Sequence, residues 1–371
     1  MTADADIIIV GAGIAGASLA WAIGDAARTI LLEGESHPGV HATGRSAAFY
    51  AETYGGPRVQ PLTTASKTFF HAPPPEVAPG PLVAARGALH IAARADPSLD
   101  ALAASFRAAP VATHSLDAEA THRRLPILAP QWSGRSLWEP ECQDIDVAAL
   151  HAGFLTAARH KGASILTDAR VTTVRHVDHL WIVETAAGTY AAPILVDAAG
   201  AWADEFAIMA GLPPLGIVPK RRTVIVAEID QPVDADWPLT IDAGGGLYFK
   251  PDTGRLWISP HDETDAPAGD VQPEELDIAT TAHRFEQTSV ARILRIERSW
   301  AGLRSFAPDR LPVYGFDPLA DGFFWCAGQG GFGIQTAPAA AELAAAALLG
   351  RRPRGLAAEV DFTSYAAARL R

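Results

Sequence analysis

Residues 7–33 open with Ile7-Ile8-Ile9-Val10-Gly11-Ala12-Gly13-Ile14-Ala15-Gly16 and close with Thr29-Ile30-Leu31-Leu32-Glu33, and this stretch decides the fold. An apolar run, a glycine turn and an apolar helical segment predict the strand, turn and helix of a Rossmann-like unit. Gly11 permits the tight turn, Gly13 lets a pyrophosphate approach bare backbone, and Gly16 lets the helix pack closely on the strand. The helix N-terminus at Ile14 and Ala15 offers free amides to phosphate. Glu33 ends the second strand about 20 residues further on, where a carboxylate accepts hydrogen bonds from ribose hydroxyls and disfavours a 2'-phosphate. The motif by itself leaves NAD and FAD open.

Outside this unit the composition narrows the function classes. A chain of 371 residues exceeds one ordinary core and suggests two lobes around a shared ligand. The 30 Lys and Arg against 42 Asp and Glu leave a net charge of -12, which argues against a nucleic-acid surface or an anionic membrane patch. Any cationic site must be local. Cys142 and Cys326 allow at most one disulfide and no metal cage, which suits a reducing cytosol. The start, Met1-Thr2-Ala3-Asp4-Ala5-Asp6, has no basic region before the first strand, so no secretory signal is expected. The apolar segment near Ile334–Leu349 carries Glu342 and is short for a span, so no transmembrane segment is expected. No H-E-x-x-H, C-x-x-C or G-x-S-x-G occurs, which leaves metal hydrolysis and serine catalysis unsupported.

The pattern along the chain predicts an α/β (α+β two-lobe) fold, a Rossmann-like domain with a discontinuous second domain on a large, mostly antiparallel sheet. A helix is expected over Val59–Phe70, a lobe crossing at the prolines of 73–81, a strand over Arg86–Ala92, and helices over Leu99–Ala108 and Ile145–His160. Short strands follow at 169–175, 180–185 and 193–197, then longer β segments at Val218–Ile229 and Leu247–Pro260. Residues 1–80, 138–215 and 293–371 are assigned to the cofactor domain, and 81–137 and 216–292 to the substrate domain.

A second cluster selects the cofactor. The strand Phe323-Phe324-Trp325-Cys326-Ala327 runs into Gly328-Gln329-Gly330-Gly331-Phe332-Gly333 and a helix. No further strand with a terminal acid follows, so this is no second dinucleotide unit. A helix start at the end of a strand suits developing negative charge, which a flavin acquires around its pyrimidine edge.

With these motifs together, the chain resembles the FAD-dependent D-amino acid oxidase and dehydrogenase superfamily, and most of all its bacterial D-arginine dehydrogenase type. The resemblance rests on Gly11–Gly16 with Glu33, on His41-Ala42-Thr43-Gly44-Arg45-Ser46-Ala47-Ala48, and on Val196-Asp197-Ala198-Ala199-Gly200-Ala201-Trp202. It rests also on Pro219-Lys220-Arg221-Arg222, Leu247-Tyr248-Phe249-Lys250-Pro251, Trp300-Ala301-Gly302-Leu303-Arg304-Ser305-Phe306 and Gln329–Thr336, in the family's order.

The resemblance implies a non-covalent FAD. Its adenosine half would lie on Gly11, Gly13, Gly16 and Glu33, with Val171, Ala199, Gly200, Trp202 and Gly302 alongside. Thr43, Gly44, Arg45, Ser46, Ala47 and Ala48 would line the pyrophosphate and ring. Gly330, Gly331, Phe332, Gly333, Ile334, Gln335 and Thr336 would face the pyrimidine edge. Sarcosine-type amine oxidases tether flavin through a cysteine shortly after the region of Leu303-Arg304. Here Ser305-Phe306-Ala307-Pro308 has no thiol.

The same resemblance places Arg222 and Arg304 on the flavin's reactive face, where two guanidinium groups in an apolar cleft bind an α-carboxylate. Arg221 is read as their solvated neighbour. Tyr54 and Tyr248 would donate to the carboxylate or order water by the amine, and the Gly331 carbonyl would accept from the amine. Hydride transfer from Cα to flavin N5 would give an imino acid, which water hydrolyses to a 2-oxo acid and ammonia. The 12 histidines are read as solvated or structural, and no dedicated base is evident.

Relatives of the D-arginine dehydrogenase type carry an acid where Ala88 stands, and histidine and threonine where Phe49 and Ala51 stand. A cationic side chain desolvated without its carboxylate loses several kcal/mol. The expected substrate is therefore a neutral, hydrophobic or aromatic D-amino acid, and Glu52 is expected to point away from it. Electrons would pass to a quinone or carrier in a cytoplasmic enzyme able to associate peripherally with the inner membrane. Two alternatives stand beside this reading: a glycine-, sarcosine- or other amine oxidase that produces hydrogen peroxide, and a flavin-binding scaffold without turnover.

Overall fold

The computed structural model describes residues 2–109 and 111–371; Met1, where the first expected segment begins, and Pro110 lie outside it. The strand Ile7–Val10 is buried along its whole length and sits at the centre of a six-stranded sheet. Its parallel neighbours are Thr29–Leu32 on one side and Ile194–Asp197 on the other. Beyond these lie Ser164–Leu166 at one edge and Phe323–Ala327 followed by Val313–Phe316 at the other. Strands buried on both faces read as continuous apolar runs, which is why this sheet was legible as IIIV, TILL, ILVD and FFWCA.

Helix Ile14–Ile23 lies against helices Val147–His160 and Gly333–Leu348. Leu150, Phe154 and Ala158, expected on one helical face, are all fully buried. Asp146 caps the helix that carries them, its carboxylate accepting from the Ala149 amide at 2.9 Å.

The second layer is a nine-stranded sheet, antiparallel except where Leu239–Asp242 pairs with Ala88–Ile91. Its longest members, Val218–Ile229 and Ile293–Phe306, pair along their length, with register shifts at Val226/Ala227 and Glu228/Ile229. Two expectations change here. The segment Leu247–Pro260 is a hairpin of Tyr248–Asp252 and Arg255–Ser259, turned through Thr253 and Gly254 at φ of +48° and +75°. The strand Ile293–Phe306, assigned above to the cofactor domain, pairs along Val218–Ile229 in the nine-stranded sheet, and its last residue bridges back to Gln329.

The far end of that strand reaches back to the first layer. Phe306 forms a bridge with Gln329, and the Gly330 amide donates to the Ser305 carbonyl at 2.8 Å. Arg304 therefore lies beside the second glycine cluster.

Candidate active site

The first glycine turn is built as its residues demand. Gly11 has φ of +100°, and a Cβ there would meet the Ala198 carbonyl oxygen at 2.4 Å. A Cβ on Gly16 would fall 1.9 Å from the Gly11 carbonyl oxygen, so only glycine lets the helix sit this close. The turn is held from both sides: Glu33 accepts from the Ala12 amide at 3.0 Å, and His151 Nε2 donates to the Ala12 carbonyl at 2.7 Å. Thr43 accepts from the Ile14 amide at 3.0 Å, so the loop after the second strand closes over the helix start.

A cavity of about 450 Å³ runs from Glu33 past both glycine clusters to Arg304. Gly11, Gly13, Ile14, Ala15, Glu33, Thr43, Arg45, Ser46, Val171, Ala199, Gly200, Trp202, Gly302, Gly330, Gly331, Gly333 and Ile334 all line it. A small cavity of about 20 Å³ adjoins it, lined by Ser46, Ala47, Ala48, Phe49, Tyr54, Arg222, Tyr248, Arg304, Gly331, Ile334 and Gln335. Bare glycine backbone, an exposed helix start and an acid at one end fit a dinucleotide of the flavin type.

Several expected contacts lie behind these walls. Gly16 serves helix packing, and a Cβ on Gly44 would meet the Gly39 carbonyl at 2.7 Å, so Gly44 serves the turn. Phe332 stacks edge-on against Tyr54, and the Thr336 hydroxyl returns to the Phe332 carbonyl inside the helix. Ala51 and Ala88 are fully buried in the apolar cluster of Phe49 and Tyr248, and of these four only Phe49 and Tyr248 face the small cavity.

The two arginines differ more than their motifs suggest. Antiparallel register sets Arg222 opposite Gly302 and Arg304 opposite Lys220, so both guanidinium groups come off one face. Arg222 is already engaged: Nε donates to the Asp262 carbonyl at 2.7 Å, Nη2 to Glu263 at 3.0 Å and Nη1 to the Tyr54 hydroxyl at 3.3 Å. Burial works against its charge, but Tyr54, Tyr248 and Glu263 outweigh that and hold its pKa above the usual value. Arg304 donates only to backbone carbonyls among the described residues, those of Leu303 at 3.2 Å and Arg45 at 3.1 Å. Burial, with Arg222 nearby, pulls its pKa down. A buried cation without a counter-ion, facing a cavity, calls for an anion.

Arg221 corrects a sequence expectation. It is buried rather than solvated, donating to Asp277 at 2.9 Å and to Glu274. Alternation along the strand points it away from Arg222, and helix Glu275–Thr288 covers it. Glu52 points away from the cavity as expected and accepts from the Thr64 hydroxyl.

The run His261-Asp262-Glu263 went unnoticed in the sequence. Asp262 also accepts from the Thr223 amide and hydroxyl, at 2.7 and 3.0 Å. The His261 ring lies 6.1 Å from Tyr54 and 5.6 Å from Tyr248, at a backbone φ of +55°. Burial, then Arg222 and Arg310, lower its pKa to about 3, so it stays neutral beside the arginines. Below the ordinary histidine pKa the unfolded chain takes up a proton that the folded one refuses. Stability must then fall with pH between 6.5 and about 3, on the order of 1 kcal/mol per pH unit. His261→Gln should therefore close its melting-temperature gap to the parent protein between pH 8 and pH 5; a constant gap would contradict the argument.

Glu139 was also missed. It sits opposite Ala88 in register, is buried, and accepts from Thr53 at 2.6 Å, with His90 Nε2 at 3.0 Å. Burial opposes its charge, but the bonds to His90 and Thr53 prevail and keep its pKa low. This acid is committed and does not line the small cavity. Both cysteines are free and buried, and neither lines a cavity named above. Among the described residues, no helix is long and apolar enough to cross a membrane.

The sequence matches the family described as FAD dependent oxidoreductase, DAO, over residues 6–347. It is 28% identical over 217 residues to glycine oxidase of Geobacillus kaustophilus, covering 57% of this chain and 55% of that enzyme. It is 28% identical over 167 residues to FAD-dependent oxidoreductase domain-containing protein 1 of Xenopus laevis, covering 39% of this chain and 32% of that protein. The matched stretches thus span less than two thirds of these relatives. In structure, the Geobacillus kaustophilus glycine oxidase superposes with a TM-score of 0.83 at 22% identity, over 98% of both chains. L-alpha-glycerophosphate oxidase from Mycoplasma pneumoniae with FAD bound superposes with a TM-score of 0.82 at 17% identity, over 96% of this chain and 98% of that one.

Proposed function

The chain belongs to the FAD dependent oxidoreductase (DAO) family, and on that premise we propose that it oxidises neutral D-amino acids to 2-oxo acids and ammonia with a non-covalently held FAD. The observation that carries this reading is Arg304, buried, without a carboxylate partner and facing the small cavity between Tyr54 and Tyr248. When bound, FAD supplies the acceptor for the hydride that leaves the substrate Cα.

The chain's own part is binding and positioning. Arg304 takes the carboxylate through its forked donors. Burial, partly offset by Arg222, raises the Tyr248 pKa, so its hydroxyl remains a donor to the same carboxylate. Tyr54 already accepts from Arg222, which turns its own proton outward. The Gly331 carbonyl is the acceptor for the amine, and the Tyr54 hydroxyl lies against that residue. Ala47, Ala48 and Phe49 exclude water from the third side.

Among the described residues no Asp or Glu lines the small cavity, which supports a neutral side chain over a cationic one. The small cavity as it stands, about 20 Å³, has room for roughly one water, so any amino acid seated on Arg304 needs Phe49 or a neighbouring wall to give way. The D configuration and a quinone or carrier as acceptor follow the resemblance in motif order. The absence of a thiol from both cavity walls supports the non-covalent cofactor.

Anaerobic mixing with paired D and L enantiomers of alanine, methionine, leucine, phenylalanine and arginine tests the reading. D-Alanine, D-methionine, D-leucine or D-phenylalanine should bleach the flavin absorbance far faster than its L partner. D-Arginine outrunning the neutral D substrates would sink the neutral assignment. Likeness to glycine oxidase favours a second reading, an amine oxidase reoxidised by oxygen. Peroxide released in step with substrate loss would establish it.

A further inference from the structure

The two arginines of the small cavity are two residues apart in register, yet among the described residues only Arg222 carries a counter-ion. Glu263 sits 3.0 Å from Arg222 Nη2 and 2.8 Å from Arg310 Nη2, and its side chain is 30% exposed. Arg222 is 1% exposed and has a chain partner for each of its three nitrogens, Asp262, Glu263 and Tyr54. A buried guanidinium that is already neutralised and hydrogen-bonded gains little from a second anion, which would face Glu263 as a like charge. We propose that Glu263 sets substrate specificity by occupying Arg222, so that the site takes one carboxylate on Arg304 and refuses a second.

Resting on the carboxylate reading of Arg304, this changes the part played by Arg222. It is a positioning residue that orients Tyr54 rather than half of a carboxylate clamp, and Glu263 is the residue that keeps it so. Removing the Glu263 charge leaves a cation on the wall of a cavity that already holds one anion, and a dicarboxylate then spans the pair. Negative discrimination of this kind acts against the wrong ligand more than it helps the right one.

Malonate and acetate titrated into the flavin-loaded enzyme, followed by the change in flavin absorbance, test the idea without turnover. The Glu263→Gln variant should bind malonate about tenfold more tightly than the parent, with acetate affinity changed less than about threefold. Glu263→Ala should behave alike, which guards against the glutamine amide simply replacing the carboxylate as acceptor. Unchanged malonate affinity in both variants, or equal gains for both acids, overturns the role of Glu263 while the Arg304 reading stands. If neither acid perturbs the parent's flavin and neither variant gains binding, the carboxylate site itself is wrong and the inference falls with it.

Discussion

The Arg304→Met variant is expected to retain its flavin and lose about a thousandfold in kcat/KM for the amino acid, the cost of truncating a buried charge that pairs with a ligand, about 4 kcal/mol. The side chain faces the cavity, is buried, and among the described residues donates only to backbone carbonyls. Methionine fills similar volume and removes a cation whose desolvation has no compensating carboxylate. The variant should therefore melt at the same temperature as the parent or above it. Steady-state kinetics with the best neutral substrate, together with a thermal melt, check both halves. A large stability loss, or a kcat/KM within tenfold of the parent, would show that Arg304 serves the fold rather than the substrate.

Gly16→Ala should give a colourless protein. Its added Cβ falls 1.9 Å from the Gly11 carbonyl oxygen and 3.1 Å from the Gly11 carbonyl carbon, and both neighbours are backbone. Either the helix lifts or the turn deforms, and both spoil the amides that meet the pyrophosphate. The expected loss in FAD affinity is at least about a hundredfold, as for misplacement of a site built on preorganised backbone donors. The flavin-to-protein absorbance ratio after purification and a titration of apoprotein with FAD measure it. Gly134→Ala is the control, since a Cβ there meets nothing within 4 Å. A fully yellow Gly16→Ala protein would remove the turn from the cofactor cradle.

What could be read in advance follows from how local each cause is. The strand-turn-helix around Gly11 declares itself because apolar runs and glycines act over a few residues. Arg222 and Arg304 were singled out through their places in the family's motifs rather than from the strands themselves, and the register of Val218–Ile229 with Ile293–Phe306 brings them to one face. Their unequal state was not legible. It depends on Glu263, 41 residues beyond Arg222, and on a loop in which His261 adopts φ of +55°. Arg221 was misread for the same reason: its partners Glu274 and Asp277 come from a helix whose docking no local pattern announces. Ala51 and Ala88 were read as side-chain pocket residues with Phe49; they share its buried cluster, but of the three only Phe49 lines the small cavity, because packing decides which residue faces it.

The bridge between Phe306 and Gln329, with the Gly330 amide on the Ser305 carbonyl, welds the strand of Arg304 to the glycine cluster that opens the last long helix. The distance from Arg304 to the second glycine cluster is thereby a property of backbone hydrogen bonds, indifferent to side-chain identity. Phe49 and Glu263 sit on other segments, outside that weld. On the proposed function, substitutions at those two positions should change which substrate is taken while leaving the spacing between Arg304 and the glycine cluster intact.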